Sequence, residues 1–242
     1  MAAPVQRVIG TYVSGLNAIT PAPNAGHVSG DVELLFVETA NEAATLSTPA
    51  GFAQVTGSGV GVGTAAGTDG TRMTVFWRLW DGAAGSPTTA DSGNHQIAVI
   101  ASYSGVIATG NPWDVVGSNQ QTPATTAGSA SGVTTTVADT LVVIATAGAQ
   151  PDALGTAEFS GWTNANLATL TERFDQTDTA GNGGAIGIAD GSLATAGATG
   201  ATTFTTATST TKDNVVIALL PVVVSLPRKI AVLQAISRAA VR

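Results

Sequence analysis

The chain of 242 residues has only two histidines, His27 and His95, and no cysteine. Cysteine nucleophiles, thiolate metal sites and disulfides are thereby excluded. Asp91, Ser92 and His95 lie close together and supply the group types of a hydrolytic relay. Such a relay needs its groups to converge from separate elements onto an oxyanion site, so adjacency along the chain does not make one. There is no Gly-x-Ser-x-Gly elbow. The glycine-rich run 57–63 is out of register for a dinucleotide fingerprint and lacks the lysine of a P-loop, so it reads as a flexible loop. Each histidine reads as a solvated loop side chain.

Paired carboxylates are the remaining route to catalysis, as in a glycosidase. Glu158, Glu172, Asp175 and Asp178 are scattered among small polar residues, and the sequence singles out no pair. Residues 175–182 offer oxygens at loop spacing but lack the order and the closing Glu of an EF-hand. No catalytic, cofactor-binding or metal-ligating residue is assigned, and no cofactor is expected. Trp77, Trp80, Trp113 and Trp162 could stack on sugars. In a chain with 5% aromatics they read first as anchors of a core or an interface.

The elements that would position these residues are strands. Charged residues make up 10% of the chain, against about 25% in an average soluble protein. Short Val/Ile/Thr/aromatic runs alternate with Gly/Ser/Asn/Pro turns. Strands are predicted at 7–13, 32–39, 52–56, 72–80, 96–103, 134–137, 141–146, 162–163 with 169–174, 185–190, 202–207 and 215–221. Segments 57–71, 108–132 and 175–184 read as loops and as the expected contact surfaces. The run 73–80 is apolar on both phases, so it is expected to be covered on both sides or to sit at a subunit contact.

Two series of runs resemble each other. Asp31 to Val37, Phe52, Thr74 to Trp77 and Ile97 to Ile100 form the first. Asp139 to Ile144, Trp162, Ala185 to Ile188 and Val215 to Ala218 form the second. The fold class is therefore all-β: a jelly-roll-like antiparallel β-sandwich with two similar half-series of strands, each half contributing to both sheets. The sandwich domain covers residues 1–225.

Residues 226–242 differ in kind. Apolar residues recur at helical spacing, Pro227 sits near the start, and Arg238 and Arg242 near the end complement a helix dipole. A short C-terminal amphipathic helix is predicted, with Ile230, Leu233, Ile236, Arg238 and Arg242 as its partner-docking residues. A helix this short needs a surface, its own domain's or a neighbour's.

Of the nine basic residues four lie in 228–242, so the body carries five against sixteen acids, a net charge of −11. Phosphate backbones repel such a body, and no nucleic-acid partner is expected. No apolar run is long enough to span a bilayer, so no membrane insertion is expected. The N-terminus lacks the pattern of a signal peptide, which predicts synthesis in the host cytoplasm.

The order of pieces then points to a family. Ser29-Gly30-Asp31 leads an apolar strand to Val37. Pro49 to Phe52 follows, then a strand ending in Arg78, then Tyr103-Ser104-Gly105-Val106, the second series and a terminal Ile217 to Leu220. Over roughly residues 29–220 this resembles the virion structural proteins of tailed bacteriophages, found among minor tail and related accessory or decoration proteins. The resemblance implies a non-enzymatic component of the virion, a minor tail or tail-associated accessory protein. It implies other virion proteins as partners and a homo-oligomer, a trimer by analogy with such particles. The alternatives are a capsid decoration protein of the same family, or a carbohydrate-binding or adhesion module recognising a host-surface glycan.

Overall fold

The computed structural model describes residues 2–23, 25–40, 43–63, 70–150, 157–179 and 183–223. Among these are β1 (Val5–Ile9), β2 (Val13–Gly15), β3 (Val32–Thr39), β4 (Ala53–Gln54), β5 (Arg72–Leu79) and β6 (Gln96–Ser104). The second half holds β7 (Trp113–Ala130), β8 (Thr140–Gly148), β9 (Phe159–Thr163), β10 (Ala168–Asp178), β11 (Gly184–Leu193) and β12 (Thr202–Leu219).

The strands form two antiparallel sheets, one per half of the chain. The first has the order β1-β6-β3-β5-β4, with β2 also on β6. The second has the order β10-β11-β8-β12-β7, with β9 also on β12. Read from the other edge, β7-β12-β8-β11-β10 repeats the connectivity of β1-β6-β3-β5-β4 strand for strand. The two series seen in the sequence thus reappear as two sheets of one topology. The expected sharing of each half between both sheets is corrected. The first strand of each series is central, and its own later strands flank it on both sides, so each half completes its sheet alone.

The two sheets face each other across one apolar core. Val32, Leu34 and Phe36 of β3, Met73 and Val75 of β5, and Ile97, Val99, Ala101 and Tyr103 of β6 meet Leu141, Val143 and Ala145 of β8, Ile186 and Ile188 of β11, and Val215, Ile217 and Leu219 of β12. The period of two in these runs assigns one residue in two to this face. The alternate residues are buried as well. On the first sheet Leu35, Val37, Phe76, Ala98 and Ile100 lie under Ile19, Leu46, Val13 and Phe52 from loops and a short strand. The strand β5 is therefore covered on both faces within the chain, as the sequence led one to expect.

On the second sheet the cover is a folded ribbon. Asn119 Nδ2 donates to Ser129 O at 3.0 Å, and Ser131 N donates to Asn119 Oδ1 at 2.7 Å. A straight strand would hold residues ten apart at about 33 Å, so β7 doubles back on itself. Its partner bends with it, because their register shifts between Thr205 and Thr210. The distal halves of β7 and β12, joined by β9, lie over the outer face of β8, β11 and β12. Trp162, Leu167, Leu170, Val133 and Ala130 there cover Val142, Ile144, Val216 and Ala218.

The sequence of β11 explains why this third layer fits. Its inward apolar residues are Ile186 and Ile188, and its outward ones are Ala185, Gly187, Ala189 and Gly191, then Leu193 at its end. A β-carbon at Gly187 would lie 2.7 Å from the Phe159 ring, and one at Gly191 3.0 Å from Leu167. Small residues on one face admit the covering side chains to the backbone of the sheet.

Segment 108–132, expected as a loop, is mostly β7. Its polar Asn, Gln, Ser and Thr residues suit an edge strand, and pairing along β12 sets its conformation. Segments 202–207 and 215–221, expected as two strands, are the two ends of β12. The expected loop 175–184 begins inside β10. Segment 134–137 contributes only the bridge between Thr134 and Ala198. The glycine run 57–63 is an edge cover: Gly59 N donates to Met73 O at 2.7 Å, and Val62 and Thr71 exchange backbone bonds. Gly59 has φ +80°, open to glycine at little cost, and a β-carbon there would lie 3.1 Å from Gln54 Nε2. The predicted C-terminal helix lies outside the described residues.

Candidate functional site

Ionisable side chains are gathered at four places, and each ties one element to another. At one end of the interior, Glu38 is in phase with Val32, Leu34 and Phe36 and so points between the sheets. His95 Nε2 lies 3.6 Å from Glu38 Oε2, and its Nδ1 lies 3.5 Å from Asp178 Oδ2 on the opposite sheet. Thr71 Oγ1 donates to Glu38 Oε1 at 3.0 Å. Burial pushes the Glu38 carboxyl well above the usual range, against the Thr71 hydrogen bond, and the charge of Asp178 adds to the rise. A β-carbon at Gly184 would lie 2.5 Å from Glu38 Oε2, so the glycine makes room for the carboxyl. The hydroxyl here meets the carboxyl and each ring nitrogen faces an acid. The arrangement is a clamp between sheets, not a nucleophile–imidazole–acid series.

Asp213 performs the same service beside it. In phase with Val215 and Ile217 of β12, it accepts from Met73 N at 2.9 Å, Gly61 N at 3.2 Å and Gln120 Nε2 at 2.9 Å. Burial raises its carboxyl above the ordinary range despite these donors. At the other end of the interior Asp190 accepts from Arg173 Nε at 2.9 Å, and burial raises its carboxyl too. Tyr103 faces it from the first sheet, its phenol pushed well up by burial and by the Asp190 charge.

A second cluster lies on the outer face of the first sheet. Glu33 is fully buried and takes Arg78 Nε and His27 Nδ1, each at 2.6 Å. His27 stacks on Trp80 with centroids 3.7 Å apart, and the Arg78 guanidinium lies over the Phe52 and Trp80 rings. Arg78 Nη1 also donates to Gly85 O at 3.0 Å. The group pins the loops holding residues 27, 52 and 85 onto the sheet.

The last cluster sits under the bend of the second sheet. Glu158 Oε1 accepts from Gln150 Nε2 at 2.8 Å, Thr208 N at 3.1 Å and Thr208 Oγ1 at 3.3 Å. Thr208 Oγ1 also donates to Gln150 Oε1 at 2.5 Å. The Asp175 carboxylate accepts the N–H groups of Glu158 and Phe159 at 2.9 and 2.8 Å. Burial lifts Asp175 to about 6, against those two bonds. Lys212 is fully buried, donates to Thr210 O at 3.0 Å and to Thr125 O, and is pulled down to about 8 by burial.

These positions correct the sequence reading of both histidines, which are held by acids rather than solvated. Asp91 and Ser92 make turn bonds: Asp91 Oδ1 accepts from Gly93 N, and Ser92 Oγ donates to Asn94 O. Of the four scattered acids, Glu158 and Asp175 come together and the charge of Glu172 also acts on Asp175, whereas Asp178 is with His95. Asp175 and Asp178 lie in a strand and are engaged by different partners, and residues 180–182 of the candidate cation stretch lie outside the described residues. Among the described residues no group of three or more His, Asp or Glu could hold a metal. Trp77 and Trp113 meet edge to face at 5.5 Å, and Trp162 stacks on Phe204 at 4.5 Å. The tryptophans are anchors, in line with the first reading. The docking residues Ile230, Leu233, Ile236, Arg238 and Arg242 lie outside the described residues.

Glu33, Glu38, Asp190, Lys212 and Asp213 were not singled out in the sequence. A usable signal exists for three of them. Glu38, Asp190 and Asp213 are acids at the inward phase of otherwise apolar strands, where a charge needs a partner. The fold defines the chain as an all-β protein of two stacked antiparallel sheets. No family model matches it, and neither a curated protein nor a solved structure is detectably similar to it.

Proposed function

We propose that the chain is a non-enzymatic structural component of a bacteriophage particle, a minor tail or tail-associated accessory protein. On this reading a β-sandwich displays polar surface and assembles as a homotrimer with other virion proteins, and residues 226–242 dock on a neighbour. The observation that supports it most is the employment of the buried charges. Glu33, Glu38, Asp190 and Asp213 each tie a strand to a loop, an edge or the opposite sheet, which suits a body that must hold its shape. The order of sequence pieces supports the virion assignment. The glycan reading has less behind it, since the edge-to-face Trp77–Trp113 pair offers no common flat face to a sugar ring.

Mass spectrometry of purified particles is the direct test, with cross-linking to separate tail from capsid neighbours. The reading expects the chain at a fixed stoichiometry beside tail proteins. Absence from the particle would end it. Light scattering of the chain with and without residues 226–242 tests the docking segment, which is expected to be needed for the trimer.

A further inference from the structure

Three side chains from separate elements converge under the bend of β12. Gln150 follows β8, Glu158 precedes β9, and Thr208 sits at the bend itself. Gln150 and Glu158 are buried, and Thr208 is half-buried. One oxygen, Glu158 Oε1, touches both the Thr208 hydroxyl at 3.3 Å and the Gln150 carboxamide nitrogen at 2.8 Å. The hydroxyl oxygen itself is 2.5 Å from the carboxamide oxygen. A nucleophile, an acyl group with its leaving nitrogen, and a proton carrier touching both are therefore in place.

We infer that Thr208 and Gln150 join in an intramolecular ester, with Glu158 carrying the proton between them. Thr208 Oγ1 attacks Gln150 Cδ and gives its proton to Glu158. The Cδ–Nε2 bond then breaks, Glu158 returns the proton to that nitrogen, and ammonia leaves. One C–O bond forms, one C–N bond breaks, and no oxidant, reductant or second substrate is needed. The reaction happens once, on the chain itself.

The surroundings favour the step. Asp175 holds the backbone N–H groups of Glu158 and Phe159, and Thr208 N donates to the Glu158 carboxylate, so the acid is fixed beside both reacting groups. Fixed neighbours replace a bimolecular encounter, the largest contribution geometry makes to such reactions. Glu158 Oε2 is buried with no hydrogen-bond partner. Burial raises this carboxyl, which brings it toward the range where an acid both takes and returns a proton at neutral pH. The product would close a loop between residues 58 apart and staple the end of β8 to the bend. In a chain without cysteine this is the kind of constraint a disulfide otherwise supplies.

The inference stands apart from the virion reading and is tested on the purified full chain. Intact mass is expected about 17 Da below the sequence value, the mass of the ammonia lost on acyl transfer, after allowance for the initiator methionine. Tryptic digestion is expected to yield peptides 79–173 and 174–212 as one covalent species. Thr208→Ser should keep the deficit. Thr208→Ala and Glu158→Gln should restore the full mass. A wild-type chain at full sequence mass with the two peptides separate overturns the ester, whether or not any variant folds. A deficit that survives Thr208→Ala places the loss elsewhere and also overturns it. A deficit that survives Glu158→Gln removes Glu158 from the mechanism.

Discussion

The two halves of the chain follow one strand order yet solve the same burial problem differently. In each, the central strand is apolar on both phases and leaves an outward face to be covered. The first sheet is covered by loops, and a buried ionic group, Glu33 with Arg78 and His27, fastens them. The second is covered by its own strands, because β7 and β12 fold over it and three aromatic rings, Phe159, Trp162 and Phe204, pack onto small residues. A repeated topology thus fixes the order of strands but not the means of sealing them. The difference follows from side-chain volume. The outward residues of β11 are Ala and Gly up to its last position, Leu193, whereas the first sheet presents Leu35, Val37 and Phe76.

The largest effect expected from this contrast is at Glu33. Glu33→Ala leaves Arg78 buried without its carboxylate, and the loss of unfolding free energy in urea is expected at about 3–5 kcal/mol. A loss under about 1 kcal/mol would mean that the ionic fastening is not what holds those loops. Phe204→Ala is expected to cost about 3 kcal/mol by removing the ring at the centre of the folded ribbon. Hydrogen exchange should then quicken in β9 and the distal parts of β7 and β12 while β3, β5 and β6 stay protected. Uniform quickening would erase the contrast between the halves. Gly187→Val forces a side chain against Phe159, and a loss of about 1–3 kcal/mol is expected. An equal substitution at exposed Gly85, where nothing lies within 4 Å, should be close to neutral.

The smallest effects are in pH dependence. Lys212 keeps its proton to about 8 when folded but to its ordinary 10.5 when unfolded. Between those values the unfolded chain binds more protons, so stability rises with pH there. Asp175 acts in the opposite sense. Its folded carboxyl titrates at about 6 rather than 3.8, so the folded chain binds more protons in that window and stability falls as pH rises through it. Denaturation midpoints followed across pH should lose the alkaline rise in Lys212→Met. A rise that persists in that variant would assign it to another group.

Strands with one inward phase and strong β-branching were legible in the sequence. The strand at Val32–Thr39 was placed to the residue, and those around Met73, Val99, Val143 and Ile188 to within a few positions. The ribbon was not, because Asn119, Gln120 and Gln121 have no strand preference of their own and are extended by pairing with β12. The bend left a trace, since 202–207 and 215–221 read as separate strands and the chain does turn between them. The clusters were opaque for a different reason. His95 meets Glu38 and Asp178 only after strands far apart in sequence have stacked, and Thr208 meets Gln150 across 58 positions. Local pattern carries no record of such meetings.

That each sheet is woven from one contiguous half has a practical consequence. The exposed link at residues 108–111 is the crossing point between the halves, and cutting it severs no ladder within either sheet. Fragments 1–109 and 110–242, co-expressed as separate chains, should reassociate through the shared apolar interface, which makes this protein a natural candidate for a two-piece complementation reporter.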